Sequence, residues 1–236
     1  MEVRVEYFDT IDSTNAELMR RAKAGDVRAG DTVIANSQSA GRGRRGNSFS
    51  SPRGGIYFSF VAENSEGALA TVKAGVAVAR TLRSFGFEPE IKWVNDVLLG
   101  GKKVCGILAE AIANTSLCVI GVGINTRGDT IPPELRDSAT ALDEHGEVPE
   151  RDGIIFRILR EFDAVDRRGL IDEYKHFMTM LGGDVMLKGT GEVCRATDVS
   201  PLGELIVMRA DGSLAKLNSG EVSVIKQYGR RTYGKV

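Results

Sequence analysis

Residue 184 divides this 236-residue chain into two regimes of hydrophobic patterning, and that change constrains its fold more than any other feature. Beyond it, Asp184–Lys188, Glu192–Asp198, Glu204–Arg209, Leu214–Leu217 and Val222–Lys226 read as short β segments at regular spacing. Gly189-Thr-Gly191, Pro201-Leu-Gly203, Asp211-Gly212 and Ser219-Gly220 separate them. Asp-Gly between alternating runs is a hairpin signal, because the favoured two-residue turns need positive φ. A five-stranded barrel over 184–236 fits this pattern.

Residues 1–183 instead mix helical and strand periodicity, which gives a larger α/β or α+β domain. Val3–Phe8, Thr32–Ala35, Gly55–Val61, Glu90–Trp93, Lys103–Glu110 and Leu117–Val122 read as strands. After Asp12-Ser13-Thr14 a helix is expected: Thr14-x-x-Glu17 has capping-box spacing, Leu18, Met19 and Ala22 give a short apolar face, and Gly25 is a stop. Gly67–Phe85 has helical periodicity with many small residues, and further helices are expected over 151–166 and 169–181. Asn95-Asp96 and Gly100-Gly101 mark turns. Strand order does not follow from this pattern.

The formal net charge of −1 argues against a protein built mainly to bind nucleic acid, which carries a strong basic excess. Against that neutral body, Ser39-Ala-Gly-Arg-Gly-Arg-Arg-Gly46 stands out, with three arginines, three glycines and no acid. Glycine permits close backbone approach, and arginine offers a fixed fork of donors to carboxylate or phosphate. Such a loop either folds over an anion or is a solvated RGG-like segment touching RNA.

The three cysteines form no C-x-x-C pair, and Cys105 and Cys118 sit in apolar runs as inert buried thiols. His145 and His176 have no metal-ligand spacing. No signal peptide or membrane-spanning apolar run is present, so a cytoplasmic protein is expected.

Three other clusters carry chemistry. Ser13-Thr14-Asn15 is either a plain helix N-cap or a set of free N–H and hydroxyl groups for a polar ligand. Lys92-Trp-Val-Asn-Asp96 and Lys103-Val-Cys-Gly106 are either an ordinary hairpin edge or polar tips aimed at one cleft. Gly121-Val-Gly123-Ile-Asn125 lacks the third glycine and the later acid of a dinucleotide site, and no Walker pattern occurs.

Taken in order, Ser13-Thr14-Asn15, Gln38 with the arginine-glycine loop, Lys92–Asp96, Lys103–Leu108 and Gly121–Asn125 resemble the catalytic domain of biotin–protein ligases. The ending Asn218-Ser-Gly-Glu221-Val-Ser resembles that family's small C-terminal domain. The resemblance implies an α+β fold: a class II synthetase-like mixed β-sheet flanked by helices over 1–183, and an SH3-like barrel over 184–236.

It also implies a reaction: biotin and ATP give biotinyl-5′-AMP, and biotin passes to one lysine of a biotin carboxyl carrier protein or domain. Lys103, Arg42 and Arg44 are then catalytic. Ser13, Thr14 and Gln38 meet the ureido end of biotin, and Gly41 lines its pocket beside Arg42. Asn95 and Asp96 lie near the nucleotide, and Asn125 near ribose or adenine. Asn15, Arg45, Phe49, Lys92, Trp93, Gly106, Gly121 and Gly123 complete the ligand site. Mg²⁺ shares the phosphate charge, through ligands the sequence does not reveal. The 41–49 loop is expected to order over the ligand.

This chain departs from the family pattern at Val94, where proline is frequent, and at Phe49, where tryptophan is frequent. It reaches Ser13 without the DNA-binding helix-turn-helix of many members, so no DNA partner is expected; a homodimer is compatible with the family. The competing readings are a lipoate–protein ligase, whose Ser-Gly-Gly-Gly core is missing, and an RNA-binding module.

Overall fold

A computed structural model describes residues 2–63, 69–218 and 222–224. The larger sheet contains β1 (Arg4–Ile11), β2 (Asp31–Gln38), β3 (Ile56–Glu63), β4 (Glu90–Lys92), β5 (Asp96–Leu99), β6 (Lys102–Ala111) and β7 (Leu117–Ile124). Their order is β1-β2-β3-β7-β6-β5-β4. β1 pairs with β2 in parallel and the other neighbours are antiparallel, so the sheet is mixed as expected.

Its central strands are covered on both faces, which is why β3 is buried from Ile56 to Ala62 and apolar on both sides apart from Ser59. Odd and even positions still separate. Val33 and Val61 pack with Leu18 of α1 (Thr14–Lys23), whereas Ile34, Phe58 and Phe60 face α2 (Leu69–Ser84) and α3 (Arg151–Ala164). The small residues of α2, Ala70, Ala74 and Ala77 among them, let it sit close to the sheet.

Two expectations are corrected. The cap of α1 is Ser13, whose hydroxyl accepts from Ala16 N–H; Thr14 is already helical, and Glu17 pairs with Arg20 and Arg21. Asp96 does not sit in a turn but opens β5, a strand concealed because only three residues separate the two turn signals. β5 returns into β6 through Gly100 and Gly101, both at positive φ, the requirement of a tight hairpin.

The C-terminal sheet has the five expected strands, β8 (Asp184–Leu187), β9 (Val193–Val199), β10 (Leu205–Met208), β11 (Leu214–Leu217) and β12 (Val222–Val224). They are antiparallel in the order β11-β10-β9-β8-β12, in keeping with an SH3-like unit. Gly67, the Ser219-Gly220 turn, Glu221 and the end of the Val222–Lys226 strand lie outside the described residues.

The two sheets share a core. Ile91, Trp93 and Val94, with Tyr174 and Phe177 of α4 (Leu170–Phe177), pack in one cluster with Val185, Ala196, Leu205 and Val207. All three cysteines are buried; loss of solvation raises their thiols, that of Cys118 to about 11. Among the described residues no helix is long and apolar enough to cross a membrane.

Candidate active site

The β1–α1 junction, the β4–β5 connection and the loop after β2 surround a cleft over the middle of the larger sheet. Ser13, Thr14 and Asn15 enter from the start of α1, Gln38 from the end of β2, and Gly121 and Gly123 from β7. Lys92, Trp93, Asn95 and Asp96 come from the β4–β5 connection, and Lys103 and Gly106 from β6. Arg42, Arg44, Arg45 and Phe49 of the arginine-glycine loop form the remaining wall. The sequence clusters thus converge on one place.

Gly41 and Asn125 do not line the cleft. Gly41 is wedged where a Cβ would stand 2.3 Å from the Phe49 carbonyl oxygen, so it holds the base of the loop. Asn125 donates from Nδ2 to the Thr140 carbonyl at 3.1 Å and fastens the segment behind Lys103. Residues the sequence did not single out join the wall, notably Lys188 from the C-terminal sheet.

The loop is folded, not an extended RGG segment. Gly43 N–H donates to Asn47 O, Phe49 N–H donates to Gly41 O, and Arg42 faces Ser48 in an antiparallel bridge. Arg45 takes a left-handed conformation, φ 56°, at the tip. Phe49 then lies over Gly106 and Gly123, which face each other on β6 and β7. A Cβ on Gly123 would come within 2.6 Å of that ring, and one on Gly106 within 3.0 Å. Gly123→Ala is expected to lift Phe49 and the loop from this floor, at the cost of about 1–3 kcal/mol typical of an overpacked site. A thermal melt checks it; an unchanged melting temperature would show that Phe49 is not seated on this floor.

Lys103 Nζ lies 2.7 Å from Asp96 Oδ1 and 5.6 Å from the centre of the Phe49 ring. Its backbone is fixed on both sides, N–H to Ser138 O and C=O from Thr140 N–H. Asn95 donates from Nδ2 to the Ile107 carbonyl at 3.0 Å, and its Oδ1 faces Arg44 Nη1 at 3.4 Å. Trp93 spends its indole in the shared core, where Nε1 donates to the Gly203 carbonyl at 2.9 Å. The Trp93–Val94 peptide is cis, and Tyr174 Oη donates to the Val94 carbonyl.

The other end is neutral and closely bonded. Gln38 Oε1 accepts from Thr14 N–H at 2.8 Å, and its Nε2 donates to Ser51 Oγ. Thr14 Oγ1 meets Ser59 Oγ at 2.7 Å, and Ser59 donates to Asn15 Oδ1 at 2.6 Å. The cleft is therefore polar and uncharged at one end and strongly cationic at the other. Arg42, Arg44, Arg45, Lys92, Lys103 and Lys188 line it against the single carboxylate of Asp96, among the described residues. Such a surface suits a ligand with a neutral hydrogen-bonding head and a polyanionic tail.

Residues 7–125 match the Biotin/lipoate A/B protein ligase family. The chain belongs to this family. Its relatives include the bifunctional ligase/repressor BirA of Bacillus spizizenii, 34% identical over 73% of this chain and 54% of that protein. Another is the biotin–[acetyl-CoA-carboxylase] ligase of Mycobacterium tuberculosis, 37% identical over 64% of this chain and 60% of that protein. The chain thus spans little more than half the length of these relatives. Among solved structures, the Aquifex aeolicus biotin protein ligase in complex with biotin and ATP superposes with a TM-score of 0.80. It is 26% identical and covers 95% of this chain and 99% of its own.

Proposed function

We propose that this protein activates biotin with ATP as biotinyl-5′-AMP and transfers the biotinyl group to a lysine of a carrier protein. The division of one cleft into a neutral polar end and a cationic end supports this reading, since biotin carries a neutral ureido ring and a carboxylate that must meet a triphosphate. The family includes lipoate ligases; the relatives named biotin ligases and the hydrogen-bonding end at Thr14 and Gln38 favour biotin over an apolar-ended acid.

In the first step a biotin carboxylate oxygen bonds the α-phosphorus and the bond to the pyrophosphate oxygen breaks. Lys103, Arg42 and Arg44 offset the charge on carboxylate, phosphate and departing pyrophosphate; fixed cations in a water-poor site do this without reorganising. In the second step the neutral carrier amine bonds the acyl carbon and gives up a proton to water, AMP departs with the former carboxylate oxygen, and Lys103 stabilises the oxyanion between. The 41–49 loop covers the mixed anhydride against hydrolysis until the carrier arrives.

Mg²⁺ fits as a partner of the nucleotide. The described residues offer no group of three acidic, histidine or cysteine side chains, and Asp96 is the one carboxylate lining the cleft. A divalent ion would take most ligands from phosphates and water and lower their charge. Residues 184–236 act as an SH3-like domain that supplies Lys188 to the wall and, beside the cleft, a surface for the carrier.

Biotin-dependent pyrophosphate–ATP exchange, with lipoate in parallel, tests the proposal. Exchange with biotin alone is the expected result. Exchange with lipoate alone would assign the cleft to the other acid, and none with either would overturn the adenylation chemistry.

A further inference from the structure

Ser59 and Glu110 touch the cleft only through other residues, and their hydrogen bonds have a direction. An ionised carboxylate only accepts, so Asn15 must turn its amide nitrogen toward Glu110; Nδ2 donates to Glu110 Oε2 at 2.9 Å. The Leu108 carbonyl, 3.4 Å from the same nitrogen, is too far to hold it alone. Asn15 Oδ1 is then an acceptor, and Ser59 commits its one proton there, at 2.6 Å. The 2.7 Å contact between Ser59 and Thr14 therefore needs the proton of Thr14.

A second chain arrives from the other side. Ser51 gives its proton to the Phe49 carbonyl at 3.0 Å, so it accepts from Gln38 Nε2, which turns Gln38 Oε1 toward Thr14. Thr14 Oγ1 can also donate to Gln38 Oε1 at 3.1 Å, but Ser59 at 2.7 Å is the nearer acceptor for its single proton. With the proton there, Thr14 Oγ1 and the carbonyl oxygen of Gln38 both turn acceptor lone pairs to the cleft. They form a paired acceptor.

This network is built into the fold. Ser59 is fully buried and Thr14 and Asn15 nearly so. Ser59 lies opposite Gly121 in the sheet, and a Cβ there would stand 2.0 Å from Asn15 Oδ1. Glu110 is also 3.7 Å from Arg42, so one carboxylate faces both ends of the cleft.

We propose that Glu110 is a positioning residue: through Asn15 and Ser59 it makes Thr14 Oγ1 an acceptor and so selects an acid whose head group presents a ring N–H. The inference rests on the biotin reading, which supplies such a group in its ureido ring.

Calorimetric titration of biotin into the wild type, Glu110→Ala, Glu110→Gln and Ser59→Ala tests it, with biotin derivatives methylated at either ureido nitrogen as second ligands. Glu110→Ala and Ser59→Ala are each expected to weaken biotin about tenfold, the scale of one lost hydrogen bond at a charged anchor. Glu110→Gln, which still accepts from Asn15, is expected within about threefold of wild type. One methylated derivative is expected to lose affinity with the wild type and to lose far less with Glu110→Ala. A merely structural role would not couple the variant to that N–H. Equal biotin affinity in Glu110→Ala, or an equal methyl penalty in both proteins, would overturn the proposal. Failure of the wild type to bind biotin would overturn the biotin reading with it. Should Glu110→Ala not fold, Ser59→Ala and Glu110→Gln carry the same comparison.

Discussion

Lys103→Ala is expected to lower biotin-dependent pyrophosphate exchange by about a hundred- to a thousandfold, the scale seen when one fixed donor to a developing charge is removed. Two strand hydrogen bonds hold its backbone and Asp96 holds its ammonium, so the charge is in place before the substrates arrive. The variant also leaves the partly buried Asp96 without its partner, and that acid would then repel the triphosphate. Asp96→Asn on the Lys103→Ala background separates the two effects. It should restore part of the nucleotide affinity but not the turnover. If the single variant kept exchange within tenfold of wild type, Lys103 would not be the charge that matters.

Most of the fold was legible because punctuation and period agreed. β5 was not, since three residues between an Asn-Asp and a Gly-Gly carry too little alternation to separate a strand from a turn. Strand order was closed to the sequence for a different reason. β3 pairs with β7 across more than fifty intervening residues, and local pattern holds no information on such a partner. The cap of α1 moved by one residue because both Ser13 and Thr14 can cap; the Gln38 and Ser59 contacts that draw Thr14 inward are long-range.

The site divides in the same way. Arginine, lysine and glycine positions were legible, since charge and missing Cβ atoms are written in the chain. Their polar support was not singled out, although a signal existed. Ser59 is a lone hydroxyl inside the apolar run of β3, and Glu110 a lone acid near the end of the apolar stretch of β6. Ser59 has buried neighbours on both sides, and a polar residue so placed must have a partner; the signal at Glu110, beside half-buried Ala109 and exposed Ala111, is weaker. Lys188 could not be found this way, because its nearness to the cleft depends on how the second sheet docks.

That docking decides what the C-terminal unit does for the cleft. Deleting residues 184–236 would not leave a trimmed but intact catalytic domain. It would uncover Ile91, Trp93 and Val94, which the core shares with Val185, Ala196, Leu205 and Val207. A point substitution at the junction reads the coupling more cleanly than a truncation.

Trp93→Ala is the substitution that should report it. The indole is 4% exposed and packs between α4 and the second sheet, so its removal is expected to cost about 3–5 kcal/mol. For a chain of this size that corresponds to a fall in melting temperature of roughly 10 °C. Trp93→Phe keeps most of the packing but strands the Gly203 carbonyl, at a cost of about 1–3 kcal/mol. Trp93 lies between Lys92 and the Asn95-Asp96 pair, so both variants are expected to raise the KM for nucleotide at temperatures where they remain folded. The biotin affinity should change little, since Thr14, Gln38 and Ser59 sit on α1, β2 and β3. Thermal melts and separate titrations of the two substrates check this. A Trp93→Ala protein that melts within 2 °C of wild type, on the scale above, would mean that the second sheet is not fastened through this residue. A matched loss of biotin and nucleotide affinity would mean that the damage is global rather than carried along the Lys92–Asp96 segment.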